Sequence, residues 1–242
     1  MDFDLEFIRR ASKITSFNLT ATDFTTTRYK EELRHLFSMH IIPELEEAGY
    51  STSINKSLNN NIRVLKRSSN FGSVFNYNLK GVGPGEVMLY LLVNSARLGG
   101  GSSAGIDIVT DRDQYEIKAV KLSGDRKFMS DFKLGGTVKE MPGLIVDLLN
   151  LANRLKVSAS RTEIPKSSIM TMKQKAPVEF AQIEKRYADA AANYFAGHAT
   201  IFMNASPSRD NFGNLISVKN VKHDDILIER VTSNTIKPIV KV

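Results

Sequence analysis

The sequence predicts an α/β fold: a central mixed β-sheet flanked by helices, with a β-rich extension at the C-terminal end. Three observations predict it. Two short apolar segments, 105–109 and 115–120, are separated by a polar turn at 110–114 and read as the strands of a hairpin. Apolar residues recur at helical spacing over 85–97, 142–156 and 178–196. Towards the end, three further apolar runs, 215–218, 225–230 and 236–240, alternate with turn residues as a β-meander does.

The elements follow in order. Residues 28–48 read as a helix with a stripe of Leu33, Leu36, Phe37, Ile41, Ile42 and Leu45, kinked at Pro43 and stopped at Gly49. Residues 50–85 carry Lys56, Arg63, Lys66, Arg67 and Lys80 and no acidic residue, with Phe71, Phe75 and Tyr77 interleaved. That mixture suits a nucleic-acid-facing arm, and equally a solvated loop whose aromatics pack inward. Gly83, Pro84 and Gly85 open the helix at 85–97, on which Glu86, Leu89, Tyr90 and Val93 share a face. The run from Gly99 to Gly105 reads as a flexible lead-in to the first hairpin strand. After the hairpin, 142–156 is a helix with Pro142 near its start and Leu144, Ile145, Leu148 and Leu149 on its buried side. Residues 156–178 read as a basic loop, either a DNA-gripping insertion with Arg161, Lys166, Lys173 and Lys175 as further phosphate contacts or simply an exposed linker. The helix at 178–196 buries Phe180, Ile183, Tyr187 and Ala191, and its Gln182, Lys185 and Arg186 are in a position to reach an active-site cleft. A strand at 199–203 precedes the meander, in which Pro238 calls for an edge position. The chain thus divides into an N-terminal helical region and basic arm (1–80), a core (81–204) and a β-meander extending that core (205–242).

Composition bounds the function. The 242 residues are 42% hydrophobic, enough for a substantial core, and their net charge of +7 favours polyanionic partners. The absence of cysteine excludes disulfides and thiolate zinc sites. The acidic start, Met1 to Glu6, lacks the apolar core of a signal peptide, and no run is apolar enough to span a membrane. A cytoplasmic or otherwise intracellular protein is expected, with a virion location also open.

The chemistry concentrates in the hairpin. Asp107 sits between two isoleucines, and Glu116 and Lys118, two residues apart, project from one face of their strand. Folding the hairpin brings Asp107 close to both. Two carboxylates and an ammonium on a buried patch are costly unless they bind something, and a divalent metal would offset the cost. The bland reading is an exposed hairpin with a surface ion pair, but an exposed hairpin should alternate more strictly with polar residues. Glu86 heads an otherwise apolar helix face. It fits a carboxylate aimed at the sheet, or a first-turn carboxylate favoured by the helix dipole. A dinucleotide-binding unit is the competing motif. Its glycines here run Gly81-x-Gly83-x-Gly85 rather than G-x-G-x-x-G, and the strand before them is polar at Asn76 and Asn78.

Asp107, the Glu116-Ile117-Lys118 triplet and the helix-heading Glu86 together resemble the PD-(D/E)XK nuclease superfamily, over roughly residues 84–120. Ile106 stands where that family often has proline. The resemblance implies a restriction-endonuclease-like fold and a metal-dependent DNA nuclease, with an endonuclease favoured. It implies that Asp107, Glu116 and the Ile117 carbonyl hold Mg2+, with Mn2+ as substitute, and that Glu86 holds a second ion or positions its water. Lys118 then orients the attacking water or stabilises charge on the phosphate, and cleavage leaves 5′-phosphate and 3′-hydroxyl ends. DNA is the expected partner, with a homodimer left open. The alternative is a non-catalytic DNA-binding or structural protein that keeps the nuclease fold.

Overall fold

Strand pairing divides the described residues between two sheets, each inside its own compact unit. The computed structural model describes residues 3–14, 82–93, 95–101, 106–122, 128–130, 134, 138–195, 198–203 and 215–241. One unit is Met1–Ala119 with His198–Lys219, the other Val120–Gly197 with Asn220–Val242. The chain passes from one to the other and back, so both are discontinuous in sequence, whereas the sequence reading used the consecutive stretches 1–80, 81–204 and 205–242. The helix expected at 28–48 and the basic arm at 50–80 lie outside the described residues.

The first unit contains α1 (Phe3–Ile14), α2 (Pro84–Leu92) and a mixed five-stranded sheet. Its strands run in the order β1 (Arg97–Gly101), β2 (Ile106–Val109), β3 (Gln114–Ala119), β6 (Ala199–Met203), β7 (Leu215–Lys219). All neighbours are antiparallel except β3 and β6, which are parallel. Gly83 caps α2 and Pro84 supplies its first turn, where a missing N–H costs nothing. Val87, Met88, Leu89, Tyr90 and Leu91 are all buried, so α2 is apolar around most of its circumference and packs on β1, β2 and β3. It ends at Leu92, earlier than the 97 expected, because Arg97 enters a strand.

An arginine ties α1 to that helix. Arg10 is only 4% exposed, and its Nη1 donates to the Tyr90 and Val93 carbonyls at 2.7 Å each. Tyr90 lies in the last turn of α2 and Val93 is its C-cap, so the cation sits at the negative end of the helix, sharing the Val93 carbonyl with the Ala96 N–H. α1 itself was not expected from the sequence. Its inward positions Phe7, Arg10 and Ala11 mix a charge into the apolar stripe and hide its period.

The glycine run read as a flexible lead-in is in part a strand, β1. A Cβ at Gly99 would stand 2.1 Å from the Ile106 carbonyl oxygen, so the glycine permits a backbone approach that no other residue allows.

The second unit holds α3 (Met141–Arg154), α4 (Lys166–Lys175), α5 (Pro177–Phe195) and a four-stranded sheet. Its strand order is β4 (Lys121–Leu122), β5 (Phe128–Ser130), β9 (Thr235–Lys241), β8 (Ile226–Thr232). Leu144, Leu148, Phe180, Ile183, Tyr187 and Ala191 form its helical core, as their spacing predicts. Ser233 and Asn234, with φ of 50° and 56°, make the two-residue turn between β8 and β9.

Three expectations change. The basic loop at 156–178 contains the helix α4, whose Ile169 and Met172 are buried three residues apart. The C-terminal strands do not form one meander. β7 pairs with the edge of β6 in the first unit, while β8 and β9 pack on α3, α4 and α5 in the second. Pro238 is not at a sheet edge, since β9 lies between β5 and β8. β9 meets β5 at Val240 and Lys241, beyond the proline, and the β8 register shifts between Ile228 and Arg230 beside it, so its missing N–H falls at an irregularity. The coarse expectation, an α/β chain with a mixed sheet accompanied by helices, describes the structure. No described helix is long and apolar enough to cross a membrane.

Gly99→Ala is expected to destabilise the chain by about 1–3 kcal/mol or more, since the β1 and β2 backbones must part to admit the methyl. A denaturant midpoint equal to that of the wild type would contradict the close approach.

Candidate active site

The turn sets the register of the hairpin, and the register sets the site. The Thr110 N–H donates to the Asp113 carbonyl at 2.9 Å, and the Thr110 hydroxyl accepts from the N–H groups of Arg112 and Asp113. This closes a two-residue loop and pairs Val109 with Gln114 and Ile108 with Tyr115. The next cross-strand position sets Asp107 against Glu116. By alternation Asp107, Glu116 and Lys118 share one face, while Ile108, Tyr115 and Ile117 fill the other and are buried.

The backbone ladder ends there. Alternation from Thr110–Asp113 makes Asp107–Glu116 a pair without mutual backbone bonds, where facing side chains come closest. Beyond it, the Asp107 carboxylate takes over, its Oδ2 accepting from the Ile117 N–H at 2.8 Å. Opposite Asp107 on its other flank, the register of β1 shifts between Leu98 and Gly101. Asp107 therefore sits between an interrupted ladder and a bulge, a setting that re-aims a side chain.

Around Asp107 the charges are crowded. Glu116 is 3% exposed, and its Oε1 accepts from the Lys118 ammonium. Burial raises the Asp107 carboxyl above the usual range. The Glu116 carboxylate adds to that rise, and the Ile117 N–H and Lys118 oppose it. Glu86 is half-buried at the start of α2, and its Oε1 accepts from the Gly83 N–H at 3.0 Å, the reciprocal arm of a capping box. Burial, and then the Asp107 charge, push its carboxyl up to about 7. So Glu86 belongs to the same electrostatic neighbourhood, but its carboxylate is turned to its own helix cap. Among the described residues no group of three or more His, Cys, Asp or Glu converges as an ion-binding cluster. The three-carboxylate set expected from the sequence is thus not assembled; the structure brings together Asp107, Glu116 and Lys118.

Two further residues join the row. β3 and β6 align Glu116 with Thr200, and β6 and β7 align Thr200 with Lys219. Asp107, Glu116, Thr200 and Lys219 thus lie across four strands on one face of the sheet. Thr200 is fully buried, and its Oγ1 has no hydrogen-bond partner. Sequence reasoning found the strand but not this residue. The one signal was a lone hydroxyl among the apolar side chains of Ala199–Met203.

The donor set suits a hard cation. Asp107 and Glu116 offer carboxylate oxygens. The Ile117 N–H points to the β2 side, which places its carbonyl on that side too. Thr200 adds an unsatisfied buried hydroxyl beside Glu116, where an ordered water would find a partner. Oxygen-only donors are what Mg2+ or Mn2+ require.

The basic residues expected to grip nucleic acid are distributed differently. Lys56, Arg63, Lys66 and Arg67 lie outside the described residues. Arg161, Lys166, Lys173 and Lys175 belong to the second unit. Lys166 faces Glu229 at 3.4 Å, and Lys173 faces Glu184 at 2.9 Å and lies over the Phe180 ring, so both already have acidic partners. Arg161 and Lys175 are exposed. Arg186 is paired with Asp147 at 2.7 Å.

No family model, curated protein or solved structure matches this chain.

Two measurements follow from the geometry. Glu86 binds a proton more tightly when folded than at its ordinary value of 4.5, so the folded chain holds more protons between that value and about 7. Its contribution to stability is full below 4.5 and disappears as pH rises through about 7. Glu86→Gln, which stays neutral, should flatten the decline of unfolding midpoint with pH across this window. An unchanged slope would contradict the assignment. Thr200→Val removes a hydroxyl that has no partner. It should leave the metal-free midpoint unchanged or raise it, by up to ~1–2 kcal/mol, whereas a clear loss would reveal a hydrogen bond.

Proposed function

We propose that the chain is a divalent-metal-dependent DNA nuclease, an endonuclease in preference to an exonuclease, built on a restriction-endonuclease-like core. One observation carries the reading. Asp107 and Glu116 face each other where the β2–β3 ladder stops, with Lys118 held against Glu116. The mixed sheet, with its parallel β3–β6 pair, and the helix that carries Glu86 in its first turn support the same reading. The net charge of +7 suits a polyanionic substrate.

Asp107, Glu116 and the Ile117 carbonyl would hold Mg2+ or Mn2+. The ion would supply Lewis acidity to the scissile phosphate and favour ionisation of water near neutral pH. The Ile117 N–H fixes the Asp107 carboxylate, so one ligand is oriented before substrate arrives. Lys118 would orient the attacking water or stabilise the charge that develops on the phosphate. Water attacks phosphorus, the bond to the 3′ oxygen breaks, and that oxygen takes a proton, leaving 5′-phosphate and 3′-hydroxyl ends. Glu86 would hold a second ion or position its water only with its carboxylate released from the Gly83 N–H.

A second reading has an observation in its favour. The Lys118–Glu116 ion pair and the Glu86 cap give these residues structural roles in a DNA-binding protein without turnover. Cleavage assays separate the two. Wild type should cleave plasmid, linear or branched DNA with Mg2+ or Mn2+ and stop with chelator. Ca2+ should support binding with little turnover, because its larger, looser shell positions water poorly. Asp107→Ala should abolish cleavage and leave DNA binding largely intact, while Lys118→Ala should stop cleavage and weaken binding. Binding of all three substrates without cleavage, at any metal, would establish the non-catalytic reading. Equal nicking by wild type and Asp107→Ala would place the activity elsewhere.

A further inference from the structure

Within the first unit, a cavity of about 580 Å³ opens between α1, the end of α2, β1 and the hairpin turn. Four cations line it, Arg9, Arg10, Lys13 and Arg97, against the single carboxylate of Asp111. We propose that this cavity is a phosphate-binding subsite for the nucleic-acid backbone, flanking the Asp107–Glu116 pair. The proposal rests on the nuclease reading and adds to it a contact outside the expected basic segments.

Its cations are built in two layers. Arg10 is buried and fixed on the α2 carbonyls, and it shares the Glu6 carboxylate with Arg9. That layer sets a positive potential and is structural. The outer layer is available. Lys13 is exposed, the Arg97 side chain is 68% exposed, and its ion pair with Asp111 spans 3.8 Å between two exposed groups. Such a pair contributes little and yields to a stronger anion. An arginine and a lysine at one concavity are the donors a phosphate takes: a planar fork and a point charge.

Register relates this cavity to the carboxylates. Arg97 pairs with Val109, which is two residues from Asp107 on the same strand, so Arg97 projects on the face that carries Asp107 and Glu116. Standard strand spacings put the Arg97 and Asp107 Cα positions roughly 8 Å apart. A single nucleic-acid strand is long enough to touch both. The ligand is the backbone rather than the bases, because the one aromatic ring lining the cavity, Tyr90, is buried and already lies under Arg10 at 5.6 Å. No ring face remains for stacking, so the contact is independent of sequence.

The test is equilibrium binding of labelled single- and double-stranded DNA over a salt series, in chelator, by full-length wild type, Lys13→Gln, Arg97→Gln and the double variant. Lys139→Gln, an exposed lysine in the other unit, controls for net charge. The slope of log affinity against log salt should fall by about one for each single variant and about two for the double, alike for different sequences. Lys139→Gln should keep the wild-type slope, and inorganic pyrophosphate should compete only weakly. Unchanged slopes in the variants, or an equal loss in Lys139→Gln, would overturn the subsite, and while Asp107→Ala still loses cleavage the nuclease reading stands. Tight pyrophosphate binding without DNA binding would assign the cavity to a free phosphate compound and overturn the proposal. No nucleic-acid binding by wild type would overturn both.

Discussion

Two carboxylates held side by side beneath a sheet repel each other, and each resists removal from water. That repulsion between Asp107 and Glu116 is the constraint on which the first unit depends. Burial and mutual charge raise the Asp107 carboxyl, and the same field reaches Glu86 at the head of α2. The fold answers with one ammonium, from Lys118, and one backbone N–H, from Ile117. Removing either partner would leave a buried anion poorly compensated, the most damaging kind of change at such a pair.

The surrounding strands are shaped by this pair. The ladder between β2 and β3 stops where the carboxylates begin, and β1 shifts register across from Asp107. A regular sheet would have spent the Ile117 N–H on backbone pairing. Here it holds a side chain instead, and Gly99 lets the neighbouring backbone close up to Ile106. The apolar face of the same strands, Ile108, Tyr115 and Ile117, anchors the irregular segment in the core. One face of the hairpin thus supplies stability, and the other concentrates charge that serves no packing need.

How much of this was legible in sequence follows from the range of each interaction. The hairpin was legible because its period and turn are local, and Glu116 and Lys118 had to share a face. The cap role of Glu86 was legible as a first-turn carboxylate, whereas its distance from a third ligand position depends on how α2 docks. Thr200 and Lys219 were not legible as site residues, because β6 joins β3 only after the chain has built most of the second unit. α4 was missed because its lysines masked a short apolar stripe at Ile169 and Met172. Their charges turned out to be partly matched by Glu184 and Glu229. The glycines of β1 read as a loop because the reason Gly99 must be small lies on another strand, at the Ile106 carbonyl.

The central claim is that Asp107 and Glu116 form one divalent-cation site. Calorimetric titration of Mn2+ into metal-free wild type and Asp107→Asn tests it without reference to turnover. A single ion per chain is predicted for the wild type, with binding lost in Asp107→Asn while its circular dichroism spectrum is unchanged. No binding by the wild type, or equal binding by a folded Asp107→Asn, would contradict it.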